Sequence, residues 1–168
     1  MLIIFSHGKE SGPWGSKIKT LADIAENLGY NIDSIDYSGM SDPDARVEKL
    51  KRVLEGSTQD VILVGSSMGG YVSLVAAQSH AVRGLFLLAP ALYMKDYSVQ
   101  EYKPLTSSIY IVHGLSDDVI PYSHSQRFAD EKTDCNLQLV EGDHRLNSSL
   151  KLITPMFEVF LNKADGLK

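Results

Sequence analysis

Short apolar runs alternate with amphipathic stretches along most of this chain. Leu2-Ile3-Ile4-Phe5, Val61-Ile62-Leu63-Val64 and Gly84-Leu85-Phe86-Leu87-Leu88-Ala89-Pro90 carry no polar alternation. Such runs are short for helices and read as strands buried on both faces. Ile32 to Asp36, Ile109 to His113 and Asn136 to Glu141 complete a set of six strands. Between them the apolar residues adopt helical spacing. Ile18, Leu21, Ala22, Ala25 and Leu28 form one stripe that begins near Trp14 and stops at Gly29, while Val47, Leu50, Val53 and Leu54 form another. Asp42-Pro43 supplies an N-cap and a first-turn proline for the second helix, and Gly56 ends it. Further helices are predicted over Val72 to Ala77, Tyr122 to Glu131 and Leu150 to Lys163, the last interrupted at Pro155.

Strands that alternate with helices predict an α/β fold: an open parallel sheet covered on both faces, with ligands expected at the C-terminal ends of the strands. The chemically informative residues fall at those ends. Gly8, Ser67, the Gly114 to Asp118 turn and the Gly142-Asp143-His144 turn each follow a predicted strand, and right-handed crossovers would bring them to one rim of the sheet. No internal repeat or linker divides the chain, and 168 residues at 43% hydrophobic are enough for one core, so residues 1–168 are expected to form a single domain.

Charge and cysteine content narrow the partners. A net charge of -5 without a Lys/Arg cluster argues against nucleic acid and against an anionic membrane surface, leaving a small molecule as the expected partner. Cys135 stands alone, so no internal disulfide forms and the thiol is expected to be half-buried and structural. The opening apolar run is short for a signal peptide and reads as the first strand, and no run reaches membrane-spanning length; a cytoplasmic location is the expectation.

Gly65-Ser66-Ser67-Met68-Gly69 fits the G-x-S-x-G elbow, in which a strained strand-to-helix turn lifts a serine hydroxyl above the sheet. An apolar strand precedes it and an Ala/Val/Leu helix follows, which is the context the motif requires. Ser67 is the candidate nucleophile. A serine hydroxyl needs a general base in contact and a third group to orient that base. Of the five histidines, His144 lies on a loop after the last strand and is the candidate base; His80 and His124 suit structural positions, and His7 and His113 suit packing or loop orientation. The acid belongs between serine and base at a strand end, where Asp117 is preferred over Asp118, and both have a turn-bracing or capping alternative.

Taken together, His7-Gly8, Gly65-Ser66-Ser67-Met68-Gly69-Gly70, His113-Gly114 with Asp117 and Pro121, and Gly142-Asp143-His144 resemble the α/β-hydrolase superfamily, and in particular its small single-domain serine esterases. That resemblance implies a three-layer fold with strand order 2-1-3-4-5-6, and an oxyanion hole formed by the backbone N–H groups of Met68 and Lys9. Lys9 departs from the apolar residue common at its position. The two leading antiparallel strands of larger members are absent, and Ala91 to Leu105 is short where a cap is often inserted. An open, shallow pocket follows, edged by Trp14, Tyr93, Met94 and Tyr97. The implied reaction is hydrolysis of small acyl esters or thioesters through an acyl-enzyme, with neither metal nor cofactor. Two other readings fit the sequence less well. A nucleotide-binding loop fails because Ile3 and Glu10 stand where a phosphate loop needs Gly and Ser/Thr. A partner-binding protein on a hydrolase fold is disfavoured by the complete Ser67, Asp117 and His144 set.

Overall fold

In a computed structural model describing residues 1–132 and 134–166, the chain forms one six-stranded parallel sheet. The strands are β1 (Leu2–Ser6), β2 (Asn31–Ile35), β3 (Val61–Ser66), β4 (Gly84–Leu88), β5 (Ile109–Gly114) and β6 (Cys135–Val140). Their order is β2-β1-β3-β4-β5-β6, with every neighbouring pair parallel. Five helices cover the two faces: α1 (Ser16–Asn27), α2 (Pro43–Gly56), α3 (Met68–Ala76), α4 (Tyr122–Glu131) and α5 (Leu150–Ala164).

The pleat sends alternate residues of each strand to opposite faces, so an all-apolar strand feeds two cores. Ile4, Leu63, Leu85, Leu87 and Ile111 meet α2 and α3 residues such as Leu50, Tyr71 and Leu74, whereas Ile3, Phe5, Ile62, Val64 and Phe86 meet Leu21, Phe157 and Phe160 of α1 and α5. Asp42 caps α2 as the sequence predicts, accepting from the N–H groups of Asp44 (3.2 Å) and Ala45 (3.3 Å).

One helix differs from expectation. Pro155 does not interrupt α5, which runs continuously from Leu150 to Ala164 behind a 3-10 turn over Asn147–Ser149. A proline here removes one backbone donor. The buried side chains Ile153, Phe157, Phe160 and Leu161 press the same helix onto the sheet, and that packing outweighs the lost bond.

The segment from Ala91 to Leu105 contains no helix or strand and is held down as a strap. Tyr71 of α3 is its anchor: its ring meets Tyr97 (centroids 4.6 Å) and Tyr102 (6.4 Å), and its hydroxyl accepts the Val99 N–H at 3.3 Å and donates to Asp44 at 3.0 Å. Ser98 donates to the other Asp44 oxygen at 2.6 Å. The strap therefore closes over α3 and forms no large cap.

Candidate active site

The elbow is built by close backbone packing. Ser67 sits between β3 and α3 with φ 54° and ψ -119°, a region that L side chains rarely adopt. Its own backbone holds it there. The Ser67 N–H donates to Leu88 O at 2.9 Å, and its carbonyl accepts from Gly70 (2.9 Å), Tyr71 (3.3 Å) and Ala91 (3.0 Å). Neighbouring glycines let the chain reverse: a Cβ on Gly65 would lie 2.4 Å from Gly69 O, and one on Gly69 would lie 2.0 Å from Ser6 O.

Two further turns are pressed together at the same rim. Leu115 N–H donates to Val140 O (2.9 Å) and Ser116 N–H to Gly142 O (3.0 Å), joining the loop after β5 to the loop after β6. Asp143 accepts the N–H groups of Arg145 and Leu146, each at 3.0 Å, and buried Leu146 anchors the far side. Lys17 of α1 reaches across to donate to Arg145 O at 2.9 Å. Burial lowers the Lys17 ammonium to about 8, against the upward pull of Asp143 and Asp117. His144 is thereby fixed between braced neighbours.

Three sequence-predicted residues meet in a line. His144 Nε2 lies 3.0 Å from Ser67 Oγ, and His144 Nδ1 lies 2.7 Å from Asp117 Oδ2. Since the carboxylate can only accept, Nδ1–H donates to Asp117 and leaves the Nε2 lone pair facing the serine hydroxyl. Asp117 Oδ1 also accepts the N–H groups of Val119 (2.9 Å) and Ile120 (2.8 Å). Burial pushes the Asp117 carboxyl up, but the Ile120 N–H, the His144 ring and the Val119 N–H outweigh it and hold the group below 3.8. Asp118, the alternative, is exposed in the same turn. The bracing role open to either aspartate thus falls to Asp117 as well.

The sequence pattern gives His113 a packing or loop-orienting place, and in the structure its ring also reaches the line of three. It is fully buried, with Nε2 3.0 Å from both Asp117 Oδ2 and Ile120 O and Nδ1 2.7 Å from Ser125 Oγ. Both Nε2 neighbours are acceptors, so Nε2–H donates and Nδ1 receives the Ser125 hydroxyl proton. Burial lowers its pKa, as it does for His7. No spacing rule marks a histidine four residues before an aspartate; the strand end and the tight turn create the contact.

At the positions expected to form an oxyanion hole, neither the Met68 N–H nor the Lys9 N–H has an acceptor among the described residues. Gly8 lies against the serine, where a Cβ would sit 3.4 Å from Ser67 Cβ. Of the predicted pocket edge, Trp14 is 41% exposed and Met94 half-buried. Tyr97 packs on Tyr71, and the Tyr93 ring lies under Arg127 (3.9 Å) with its hydroxyl donating to Glu131 at 3.1 Å. Those two rings brace the strap and α4. A cavity of about 490 Å³ opens beside Ile109 and Lys132, at the opposite end of β5 from Asp117. Half-buried Cys135 has its thiol pushed up to about 12 by burial. Among the described residues no group of three or more His, Cys, Asp or Glu could hold a metal ion, and no helix is long and apolar enough to cross a membrane.

A model of the family described as Uncharacterised protein family (UPF0227) matches residues 2–102. The chain belongs to the UPF0227 family. Its fold and relatives place this UPF0227 chain in the α/β-hydrolase superfamily. Mouse mitochondrial palmitoyl-protein thioesterase ABHD10 is 26% identical over 205 residues, covering 86% of this chain and 69% of that protein. A Xanthomonas campestris pv. campestris protein of the α/β-hydrolase superfamily superposes with a TM-score of 0.87 at 27% identity, covering 96% of this chain and 98% of that one. XC6422 from Xanthomonas campestris, described as an α/β serine hydrolase without lid, has the same fold: TM-score 0.77, 18% identity, 96% of this chain and 81% of that one.

The two buried histidines predict acid sensitivity of the fold. Unfolded imidazoles take up protons near 6.5, whereas His7 and His113 resist protonation until lower pH. Unfolding therefore binds protons below 6.5, and their contribution, complete above that value, is lost as pH falls through the folded pKa values. The melting temperature is expected to drop between pH 7 and pH 5, and His113→Asn to flatten part of that slope. A melting temperature unchanged over this range would contradict the neutral assignment.

Proposed function

We propose that this protein is a serine hydrolase acting on small or short-chain acyl esters or thioesters, with Ser67 as nucleophile, His144 as general base and Asp117 as the orienting acid. The observation that carries it is the hydrogen-bonded line Ser67 Oγ, His144 Nε2, His144 Nδ1, Asp117 Oδ2, with spacings of 3.0 Å and 2.7 Å, on a strained elbow. His144 Nε2 takes the Ser67 proton as Oγ bonds to the acyl carbon. Asp117 keeps its negative charge and stabilises the imidazolium. The carbonyl oxygen, now an oxyanion, is received by the N–H groups of Met68 and Lys9. His144 then protonates the leaving alkoxide or thiolate as the bond to the acyl carbon breaks. Water, deprotonated by the same nitrogen, attacks the acyl-serine, and the carboxylic acid departs as Ser67 Oγ recovers its proton.

A strap pinned on α3 with no large cap favours short acyl groups over deeply enclosed chains, with Trp14 and Met94 proposed to edge the site. Thioesters belong in the substrate class because the same machinery serves them, and ABHD10 is described as a thioesterase. The working setting is proposed to be cytoplasmic.

A fluorophosphonate probe is expected to label the wild-type chain and Asp118→Asn but not His144→Ala, and p-nitrophenyl acetate is expected to turn over faster than its long-chain homologues. Folded wild-type protein that is neither labelled nor active would overturn the enzyme reading in favour of a partner-binding role.

A further inference from the structure

Arg46 is a charged side chain in a place where the helix pattern calls for an apolar one. It precedes Val47 and lies one turn before Leu50 on the buried stripe of α2, and it is 2% exposed. Burying a guanidinium without a counter-ion is strongly unfavourable unless its donors are matched. Among the described residues no carboxylate pairs with it; its partners are carbonyl oxygens. Arg46 Nε donates to Met40 O at 2.7 Å, and Nη1 donates to His7 O at 3.1 Å and Gly8 O at 3.3 Å. The Tyr37 ring lies 5.1 Å from its Cζ.

Two of those carbonyls belong to the turn that leaves β1 beside the serine. A trans peptide points its C=O and its N–H in opposite directions, and among the described residues no peptide bond is cis. Gly8 O is drawn inward by Arg46 Nη1 and by His7 Nδ1–H at 2.7 Å. Lys9 N–H, the other end of that peptide, must face the opposite way. His7 O on Arg46 turns the Gly8 N–H outward by the same rule. Neither N–H has an acceptor among the described residues, and Gly8 packs on Ser67.

We propose that Arg46 is a positioning residue for the oxyanion hole: by gripping the His7 and Gly8 carbonyls it aims the Lys9 N–H at the oxygen of an acyl group bonded to Ser67. This rests on the acyl-transfer reading above. His7 shares the task and has to be neutral to do it. Its Nδ1–H is used on Gly8 O and its Nε2 accepts the Tyr37 N–H at 3.0 Å, so a proton on Nε2 would break that bond. Burial first, and Arg46 in addition, lower the His7 pKa, against an upward pull from the Gly8 bond. The arrangement explains why an arginine stands here: one rigid fork spans two successive carbonyls and a third on the loop before α2, a reach that a single ammonium lacks.

The test compares Arg46→Met and Arg46→Lys with the wild type on p-nitrophenyl acetate and on its thionoester, in which sulfur replaces the carbonyl oxygen and receives hydrogen bonds poorly. Arg46→Met is expected to lower kcat on the oxoester about 100-fold, with KM within about threefold of wild type for an effect confined to the transition state. The thionoester rate should fall much less, so the preference for oxygen over sulfur shrinks with the loss in kcat. Arg46→Lys should recover part of both. A merely structural role would slow the two substrates equally, and that result, or an oxoester kcat within about twofold of wild type in folded Arg46→Met, overturns the proposal. Should Arg46→Met fail to fold, Arg46→Lys carries the same oxygen-to-sulfur comparison. Turnover abolished by Ser67→Ala but unaffected at Arg46 would sink this inference alone, whereas wild-type protein without esterase activity sinks it together with the proposed function.

Discussion

Replacing Ser67 by alanine is expected to lower kcat on acyl esters by about 10⁵- to 10⁶-fold, the scale on which a serine nucleophile acts together with its base. The residual rate should be the same in Ser67→Ala and in the Ser67→Ala, His144→Ala double variant, because the histidine has nothing left to activate. The backbone adds a second expectation with the opposite sign. Ser67 is held at φ 54° and ψ -119° by four hydrogen bonds from its own peptide groups. Alanine inherits that strain. Glycine does not, and Ser67→Gly is expected to raise stability by about 1 kcal/mol: strain of about 1–3 kcal/mol is relieved, less the extra chain entropy of glycine, about 0.5–1 kcal/mol. Urea denaturation of the three proteins, beside their kcat values, measures both. An inactive Ser67→Gly that is less stable than Ser67→Ala would show that the elbow stores no strain, and unchanged kcat in Ser67→Ala would remove the serine from the reaction.

Both effects originate in features that the sequence displays. All-apolar strands, helical stripes and the Asp42-Pro43 cap are local signals, and the six strands, the elbow and α2 appear where those signals lie. The loops following the strands carry Ser67, Asp117 and His144, and parallel topology alone is enough to gather them on one rim. What lies beyond reach are contacts made by backbone direction. Asp117 and Asp118 are adjacent and equally acidic; only the turn geometry, in which Asp117 accepts from Val119 and Ile120, directs its other oxygen to His144.

His113 and Arg46 illustrate the same limit differently. A histidine before a glycine at a strand end suggests nothing about Ser125, twelve residues later and on another element. Arg46 leaves a trace, a charge on an apolar stripe, but its partners Met40, His7 and Gly8 come from two other loops. The tyrosines of the strap show no period because they are not in a helix or strand; Tyr71 of α3 gathers Tyr97 and Tyr102 from an irregular path. Pro155 is the converse case, a strong local signal overridden by the burial of Ile153, Phe157 and Phe160.

Gly69→Ala is expected to be the most damaging of the glycine-to-alanine changes in this chain. The new Cβ would lie 2.0 Å from Ser6 O, 2.4 Å from Ser6 C and 2.8 Å from His7 O. All three are backbone atoms at the end of β1, and none can rotate aside. Nor can β1 retreat, because it is paired on both sides, Ser6 opposite Ile35 of β2 and opposite Gly65 of β3. Relief requires α3 to back away from the sheet, which strips contacts from Tyr71, Val72 and Leu74 and pulls Ser67 from the His7-Gly8 turn. A loss of about 3 kcal/mol or more is expected, together with loss of fluorophosphonate labelling in whatever fraction stays folded. Gly12→Ala is the matched control: its Cβ meets nothing within 4 Å, so stability should stay within about 0.5 kcal/mol. If Gly69→Ala unfolds at the same urea concentration as Gly12→Ala, the close approach of α3 to β1 is not what sets the elbow. If it is destabilised yet labels at the wild-type rate, the contact maintains the fold but does not aim the serine.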